Sequence, residues 1–257
     1  MRIITWNVNS FQMRKTHLEL LLKEEQPDFL LLQETKTERI PQDFFKNLGY
    51  KVYHTGGKGR NGVALITPHQ PEKLFIGFEE IEEDSQAKER IIGAKLSSLY
   101  VFSIYVPNGS PVGSDYFYYK INFLYQIREY LEKLFSPEEK IFLGGDFNVA
   151  PNPIDVYDAQ LLEGQICFHE RERKAFKYLL EWGLFDALRI KYPEKKGVYT
   201  WWDYQLSAFK KNLGMRIDHL LITKTLKDKL KDIFVNLKYR TLPKPSDHAP
   251  LIADFVD

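Results

Sequence analysis

A single cysteine, Cys167, in 257 residues excludes an intrachain disulfide framework and fits a reducing compartment. The simplest role for it is that of a half-buried small apolar residue. No apolar run approaches the ~20 residues needed to cross a bilayer. The opening Met1-Arg2-Ile3-Ile4-Thr5-Trp6-Asn7 begins as a strand rather than as a basic-then-apolar leader. A soluble, cytoplasmic protein with no membrane partner is therefore expected. An excess of either charge is also missing: the net charge is +1, so a nucleic acid would have to be held by a local basic face. There is no Cys/His ligand spacing, which argues against zinc. Neither a Ser-His-Asp elbow nor a reactive-cysteine environment is present. No tandem repeat, low-complexity tract or convincing linker cuts the chain, so one domain is expected.

What is present is an ordinary globular composition, 44% hydrophobic and 28% charged, at a length suited to one large α/β domain. The chain is organised around Ile141–Ala150, Ile-Phe-Leu-Gly-Gly-Asp-Phe-Asn-Val-Ala. An apolar run breaks at two glycines, and Asp146 and Asn148 follow on one side of a strand's end. That placement suits gripping a divalent metal and a reacting oxygen. A strand-to-turn cap accounts for Gly, Asp and Asn equally well.

Other segments repeat the pattern. Ile3–Val8 reads as a strand ending in Asn7-Val8-Asn9-Ser10, and His17–Glu25 as a helix stopped before Pro27. Phe29–Leu32 is a buried strand running into Gln33-Glu34-Thr35-Lys36. The glycine-rich stretch His54–Gly62 predicts a hairpin loop before the strand Val63–Thr67, with Lys58 and Arg60 available to a phosphate backbone. It lacks the Gly-Lys-Ser/Thr ending of a P-loop. Glu79–Arg90 reads as an acidic, solvated connection, and Ile91–Leu96 with Tyr100–Val106 as an antiparallel pair ending in Pro107-Asn108-Gly109. A helix over Tyr116–Phe135 would bury Phe117, Ile121, Leu124, Ile127 and Leu131 and leave Lys120 and Arg128 solvated. A further helix, Lys174–Trp182, would end at Gly183. In Tyr199-Thr200-Trp201-Trp202-Asp203-Tyr204 the default is core. Trp202 is assigned there, whereas Trp201 is assigned to stacking beside the basic stretch Lys210-Lys211-Asn212. Met215–Ile222 runs from a charged pair into an apolar strand, and Ser246-Asp247-His248 precedes the strand Leu251–Phe255.

Several strand ends would thus meet where open sheets bind ligands. The polar set is Asn7, Glu34, Tyr105, Asp146, Asn148, Asp218, Asp247 and His248. Such oxygen donors suit Mg²⁺, or alternatively Mn²⁺. A carboxylate cage, a histidine and a tyrosine together point to metal-assisted hydrolysis of a phosphoester.

The residues resemble the exonuclease III type of abasic-site endonuclease, within the endonuclease/exonuclease/phosphatase superfamily. The resemblance rests on Trp6-Asn7-Val8-Asn9, Gln33-Glu34-Thr35-Lys36, Lys58-Gly59-Arg60-Asn61-Gly62-Val63-Ala64, Tyr105-Val106-Pro107-Asn108-Gly109, Gly145–Ala150, Tyr199–Tyr204, Arg216-Ile217-Asp218 and Ser246–Pro250, in family order. It implies an α/β fold, a four-layered α/β sandwich of two mixed β-sheets flanked by helices. Carried over, Glu34 matches the principal metal ligand and Asn7 its support. Asp146 and Asn148 match the pair that orients or deprotonates water and stand beside the metal. Tyr105 and Asn108 match contacts to the scissile phosphate. His248 matches the phosphate-binding histidine, which also stands in the metal cluster, and Asp218 matches its carboxylate partner. Asp247 matches a carboxylate near the metal, serving as second ligand or assisting the leaving group. Trp201, Met215 and Ile217 match the walls of a slot for a base-less sugar, and Met215 stands where relatives often carry tryptophan.

The implied substrate is double-stranded DNA with abasic sites or 3′ ends. It would be cut 5′ to the lesion by a Mg²⁺-dependent monomer that leaves a 3′-hydroxyl. Within the superfamily, secreted nucleases would carry a leader and disulfides. Lipid and inositol-phosphate phosphatases would lack the Thr-Trp-Trp-Asp-Tyr and Arg-Ile-Asp motifs.

Overall fold

The computed structural model describes residues 1–79 and 86–256. Two six-stranded mixed sheets carry it. In chain order the elements are β1 (Arg2–Asn7), α1 (Phe11–Glu25), β2 (Phe29–Gln33), α2 (Gln42–Lys46), β3 (Lys51–Gly57), β4 (Arg60–Thr67), β5 (Lys73–Ile76), β6 (Ile91–Leu96) and β7 (Leu99–Tyr105). There follow α3 (Asp115–Leu134), β8 (Lys140–Asp146), α4 (Ala159–Leu162), α5 (Glu170–Leu180), β9 (Leu184–Asp186), α6 (Ala187–Lys191), β10 (Trp201–Trp202), β11 (Gly214–Met215), β12 (Asp218–Thr223), α7 (Lys224–Lys227), β13 (Leu230–Val235), α8 (Lys238–Thr241) and β14 (Leu251–Phe255). The first sheet has the order β13-β14-β1-β2-β4-β3 and the second β5-β6-β7-β8-β12-β9.

Each sheet holds one parallel pair, β1–β2 and β7–β8, and both pairs are joined through a helix, as a parallel crossover requires. The parallel strands are apolar on both faces because both are covered. In β1, Ile3 faces the other sheet while Ile4 and Trp6 face α1, whose Phe11, Leu18, Leu21 and Leu22 pack on them. The inter-sheet core joins Ile3, Leu31 and Val63 to Val101, Phe142 and Leu220. On the far side Phe102, Ile104 and Leu143 receive Phe123, Leu124 and Ile127 of α3 and Phe176 and Leu179 of α5. The four layers implied by the resemblance are therefore present.

Helix α1 starts six residues before the expected His17, at Phe11 behind the N-cap Ser10. Its buried stripe includes Arg14 and His17, which hid the period; Arg14 donates to Tyr204 Oη at 2.9 Å and the Pro245 carbonyl at 2.7 Å. Helix α5 likewise starts at Glu170, where His169 and Glu172 form a capping box, and ends at Leu180 rather than Trp182. Strand β3 runs through Gly57, so the expected glycine-rich loop shrinks to a tight turn at Lys58-Gly59.

Two cations expected on the solvated face of α3 are not free in water. Lys120 is fully buried, and the Arg128 guanidinium lies 3.9 Å from the centre of the Tyr178 ring. Cys167 is fully buried rather than half-buried. Of the acidic connection Glu79–Arg90, residues 80–85 lie outside the described residues. Ala87 and Arg90 are buried, against the expectation of a solvated segment. No described helix is long and apolar enough to cross a membrane.

Candidate active site

The parallel pairs end side by side. Asn7 pairs with Gln33, so Glu34 follows at the next position, and Tyr105 pairs with Asp146. Antiparallel β12 begins opposite them, with Asp218 in register with Asp146. Beneath this rim Gln33 Nε2 donates to Thr5 Oγ1 at 3.1 Å and Ser103 Oγ at 3.0 Å, tying the two sheets together.

Asn7 sits between two carboxylates. Its Nδ2 donates to Glu34 Oε1 at 2.8 Å and to Asp146 Oδ2 at 2.9 Å. Asp146 Oδ1 accepts the Asn148 amide at 2.9 Å. Asn148 has φ 51°, in the left-handed region asparagine tolerates. Its Nδ2 donates to the Val106 carbonyl at 2.9 Å and its Oδ1 accepts from Asn108 Nδ2 at 3.2 Å. His248 Nδ1 lies 2.7 Å from Asp218 Oδ2, and its Nε2 lies 3.8 Å from Asp146 Oδ2. Asp247 accepts from Trp201 Nε1 and from Asn9 Nδ2, both at 3.0 Å. Glu34, Asp146 and His248 each offer a donor atom, all within 4.8 Å of one another, a possible acidic metal-binding group.

Burial dominates the electrostatics. It raises the Asp146 carboxyl well above its ordinary range, the charges of Asp218 and Glu34 add to the rise, and His248 opposes it. Burial alone would lower His248, but Asp218, with Asp247 and Asp146, outweighs it and holds the imidazole up at about 10. Tyr105 is raised by burial and by Glu34 and Asp146, so its phenol keeps its proton. Asp247 lies below its usual range because His248, Trp201 and Asn9 together outweigh its burial.

A cavity of about 300 Å³ is lined by Glu34, Tyr105, Asn108, Asp146, Asn148, Asp247 and His248 together with Ile166, Cys167, Trp201, Met215 and Ile217. Trp201 pairs by its backbone with both Met215 and His248, so the apolar wall and the histidine share one frame. Trp202, as expected, is core. A second, more apolar cavity of about 390 Å³ has no carboxylate or histidine in its walls.

All eight residues of the expected polar set except Asn7 and Asp218 line the catalytic-looking cavity, together with Asn108, Trp201, Met215 and Ile217. Asn7 and Asp218 stand directly behind it, bonded to its lining residues. Lys58 and Arg60 do not line it: Lys58 is exposed on the β3–β4 turn, and Arg60 is forked onto Glu89.

Four contributors went unrecognised. Ile166 and Cys167 close the apolar wall. Thr200 Oγ1 accepts the amides of Ile217 and Asp218 at 3.1 and 3.0 Å. The Arg90 guanidinium lies 4.8 Å from the Tyr105 ring. Only Thr200, inside the aromatic motif, left a signal in the sequence.

Oxygen donors and a charged histidine beside an apolar slot define a site suited to hydrolysing phosphate esters. The chain belongs to the Endonuclease/Exonuclease/phosphatase family, whose model matches residues 4–248. It is 35% identical to exodeoxyribonuclease III of Haemophilus influenzae, over 99% of this chain and 100% of that protein. Among solved structures it is similar to an AP endonuclease from Archaeoglobus fulgidus, with a TM-score of 0.95, 38% identity and full coverage of both chains. A Neisseria 3′ phosphatase bound to a product DNA hairpin matches with a TM-score of 0.94, 36% identity and full coverage of both.

Proposed function

We propose that this protein is a DNA-repair phosphodiesterase that hydrolyses the backbone on the 5′ side of abasic sites, leaves a 3′-hydroxyl and trims 3′ ends. The observation that carries the proposal is a single cavity lined both by carboxylates, amides and a charged histidine and by Trp201, Met215 and Ile217. A base-less sugar flipped out of the helix fits against Trp201, Met215 and Ile217 in this cavity of about 300 Å³, whereas a nucleotide bearing its base needs more room there. The named relatives, an exodeoxyribonuclease, an AP endonuclease and a 3′ phosphatase, support the same chemistry.

The donor set fits Mg²⁺, with Mn²⁺ as the alternative, because it is made of oxygens. Glu34 and Asp146 would hold it, with Asn7 beside both and Asp247 nearby. When bound, such an ion neutralises charge developing on the phosphate and the leaving oxygen. Asp146, its basicity raised by burial, takes the proton of the attacking water, and Asn148 orients that water. His248, kept charged by Asp218, donates to a phosphate oxygen; Tyr105, kept protonated, donates to another, and Asn108 to a third. Asp247, fixed by Trp201 and Asn9, faces the leaving group. Lys58 and Arg60 touch the DNA backbone away from the cavity. The chain works as a single catalytic domain and as a cytoplasmic monomer, in keeping with its one buried cysteine.

The test is a gel comparing an abasic duplex, an intact blunt duplex and an RNA–DNA hybrid in Mg²⁺, with inositol polyphosphate assayed in parallel. Incision of the abasic strand to a 3′-hydroxyl, abolished by chelator, is expected. Turnover of the inositol phosphate alone would overturn the proposal.

A further inference from the structure

We infer that Lys120 is a positioning residue for this reaction: its buried ammonium locks together the three segments that build the phosphate end of the cavity. The inference rests on the nuclease reading of the site. Lys120 lies on α3, outside every motif of the resemblance, and its side chain is fully excluded from water. The ammonium spends all three of its donors. One goes to the Asn108 carbonyl at 3.0 Å, one to the Asn148 carbonyl at 2.6 Å, and one to Glu172 Oε1. Glu172, equally buried, passes the restraint on. Its Oε1 also accepts the Cys167 amide at 3.2 Å, and its Oε2 accepts the His169 amide at 2.9 Å.

The anchored segments are therefore the one after β7 with Asn108, the one after β8 with Asn148, and the one before α5 with Cys167. The same three residues meet again through their side chains. Asn108 Nδ2 reaches Asn148 Oδ1 at 3.2 Å, and Cys167 Sγ lies 3.6 Å from that oxygen. Lys120 thus fixes from behind, through carbonyls, what the cavity presents in front as amides. Its stem packs so closely on Gly109 that a Cβ there would stand 2.8 Å from Lys120 Cδ.

Stability alone does not account for this arrangement. A buried ion pair is a weak stabiliser, and an apolar or neutral replacement of both partners is often neutral or better. A neutral pair would, however, leave the Asn108 and Asn148 carbonyls without their shared donor. Positioning and stability therefore separate in a paired set of variants.

The experiment compares wild type with Lys120→Met, Lys120→Arg and the double variant Lys120→Met/Glu172→Gln. Thermal unfolding, kcat and KM on an abasic duplex, and the Asn side-chain amide signals in ¹H–¹⁵N spectra are measured. Lys120→Met leaves a buried carboxylate unpaired and lowers Tm by about 10 °C. The double variant recovers only the part of that loss due to the unpaired carboxylate, because the Asn108 and Asn148 carbonyls still lack their donor. In both, kcat falls about 100-fold with KM changed less than threefold, because amides displaced by about 1 Å no longer meet the transition state. Lys120→Arg keeps a charged donor and stays within about tenfold of wild-type kcat. In the double variant the Asn108 and Asn148 amide signals shift or broaden.

Recovery of kcat together with Tm in the double variant would overturn the inference and leave a structural ion pair. Unchanged Asn108 and Asn148 amide signals would overturn it whatever the turnover. A wild type that leaves abasic DNA intact would sink the nuclease reading instead, and the amide signals would still decide the role of Lys120.

Discussion

Gly144 and Gly145 stand immediately before Asp146, and their two methyl substitutions should differ sharply. A Cβ on Gly145 would lie 1.9 Å from the Ile104 carbonyl oxygen and 2.8 Å from its carbon. Carbon–carbon contacts are comfortable only at about 3.5–4.0 Å, so β7 and β8 must part by more than about 1 Å at this rung. The obstacle is backbone, which no rotamer change relieves, and the cost falls at the upper end of the overpacking range, about 3 kcal/mol. For a chain of this size that is a Tm loss of roughly 6–12 °C. The next rung pairs Tyr105 with Asp146, so a shift of about 1 Å there should also cost about 100-fold in kcat. On Gly144 the nearest atom is the Leu31 Cδ1 methyl at 2.5 Å, then the Leu220 Cδ1 and Thr5 Cβ at 3.3 Å, all side-chain atoms. Leu31 can turn aside, and Gly144→Ala should cost about 1 kcal/mol. Circular-dichroism melts and single-turnover cleavage of an abasic duplex measure both. If Gly145→Ala melts within about 2 °C of wild type, or if the two variants behave alike, close approach of the backbones is not why glycine stands at 145.

Asp218→Asn keeps a hydrogen-bonding side chain beside His248 but removes the largest of the charges that raise it, leaving those of Asp247 and Asp146. The alkaline limb of the kcat profile, set by loss of the imidazolium, should move down from about 10 toward the unperturbed value. An unmoved limb would remove His248 from the charged role. Glu34→Gln should abolish the rise in Tm produced by added Mg²⁺ while the protein stays folded; a full Mg²⁺ shift in the variant would place the ion elsewhere. His54, held 2.9 Å from Thr35 Oγ1 and lowered by burial to about 4, stays neutral in the fold while the unfolded chain takes a proton below about 6.5. Its contribution is complete above that pH and is lost as the pH falls toward 4, up to about 3 kcal/mol. Urea midpoints between those limits should fall less steeply in His54→Gln, and equal slopes would refute the assignment. Lys58→Ala should weaken DNA binding without sequence preference and lower the salt slope by about 1; an unchanged slope would remove Lys58 from the DNA contact.

What could be seen in the chain beforehand were strand ends. Apolar runs that stop at Asn7, Glu34, Tyr105 and Asp146 announce themselves locally, and a sheet brings such ends together without further information. The covered faces were equally legible, because Phe29–Leu32 is apolar without alternation and Ile3–Trp6 is interrupted only by Thr5. What stayed hidden depends on partners far away in the sequence. Lys120 and Glu172 are 52 residues apart, and each alone looks like an ordinary helix-surface charge. Arg14 belongs to the buried stripe of α1 because the Pro245 carbonyl, 231 positions away, receives it. Cys167 looked inert because a lone thiol says nothing of its surroundings, and burial indeed pushes its thiol up to about 12. It matters as wall, not as nucleophile.

The stretch at Asp146–Asn148 shows why a turn and a reactive site need not compete. Asp146 Oδ1 accepts the amide of Asn148 two residues on, the hydrogen bond that makes an Asx turn. That bond commits one carboxylate oxygen to the backbone and stops the side chain from rotating. The other oxygen, Oδ2, is left pointing at Asn7 Nδ2 and toward His248. The turn also puts Asn148 at φ 51°, which turns its carbonyl to Lys120 and its side chain to Val106 and Asn108. A residue that merely capped the strand could be serine or glycine at little cost. One that must cap with one oxygen and present the second, at fixed orientation, to a neighbouring amide and an imidazolium has to be aspartate.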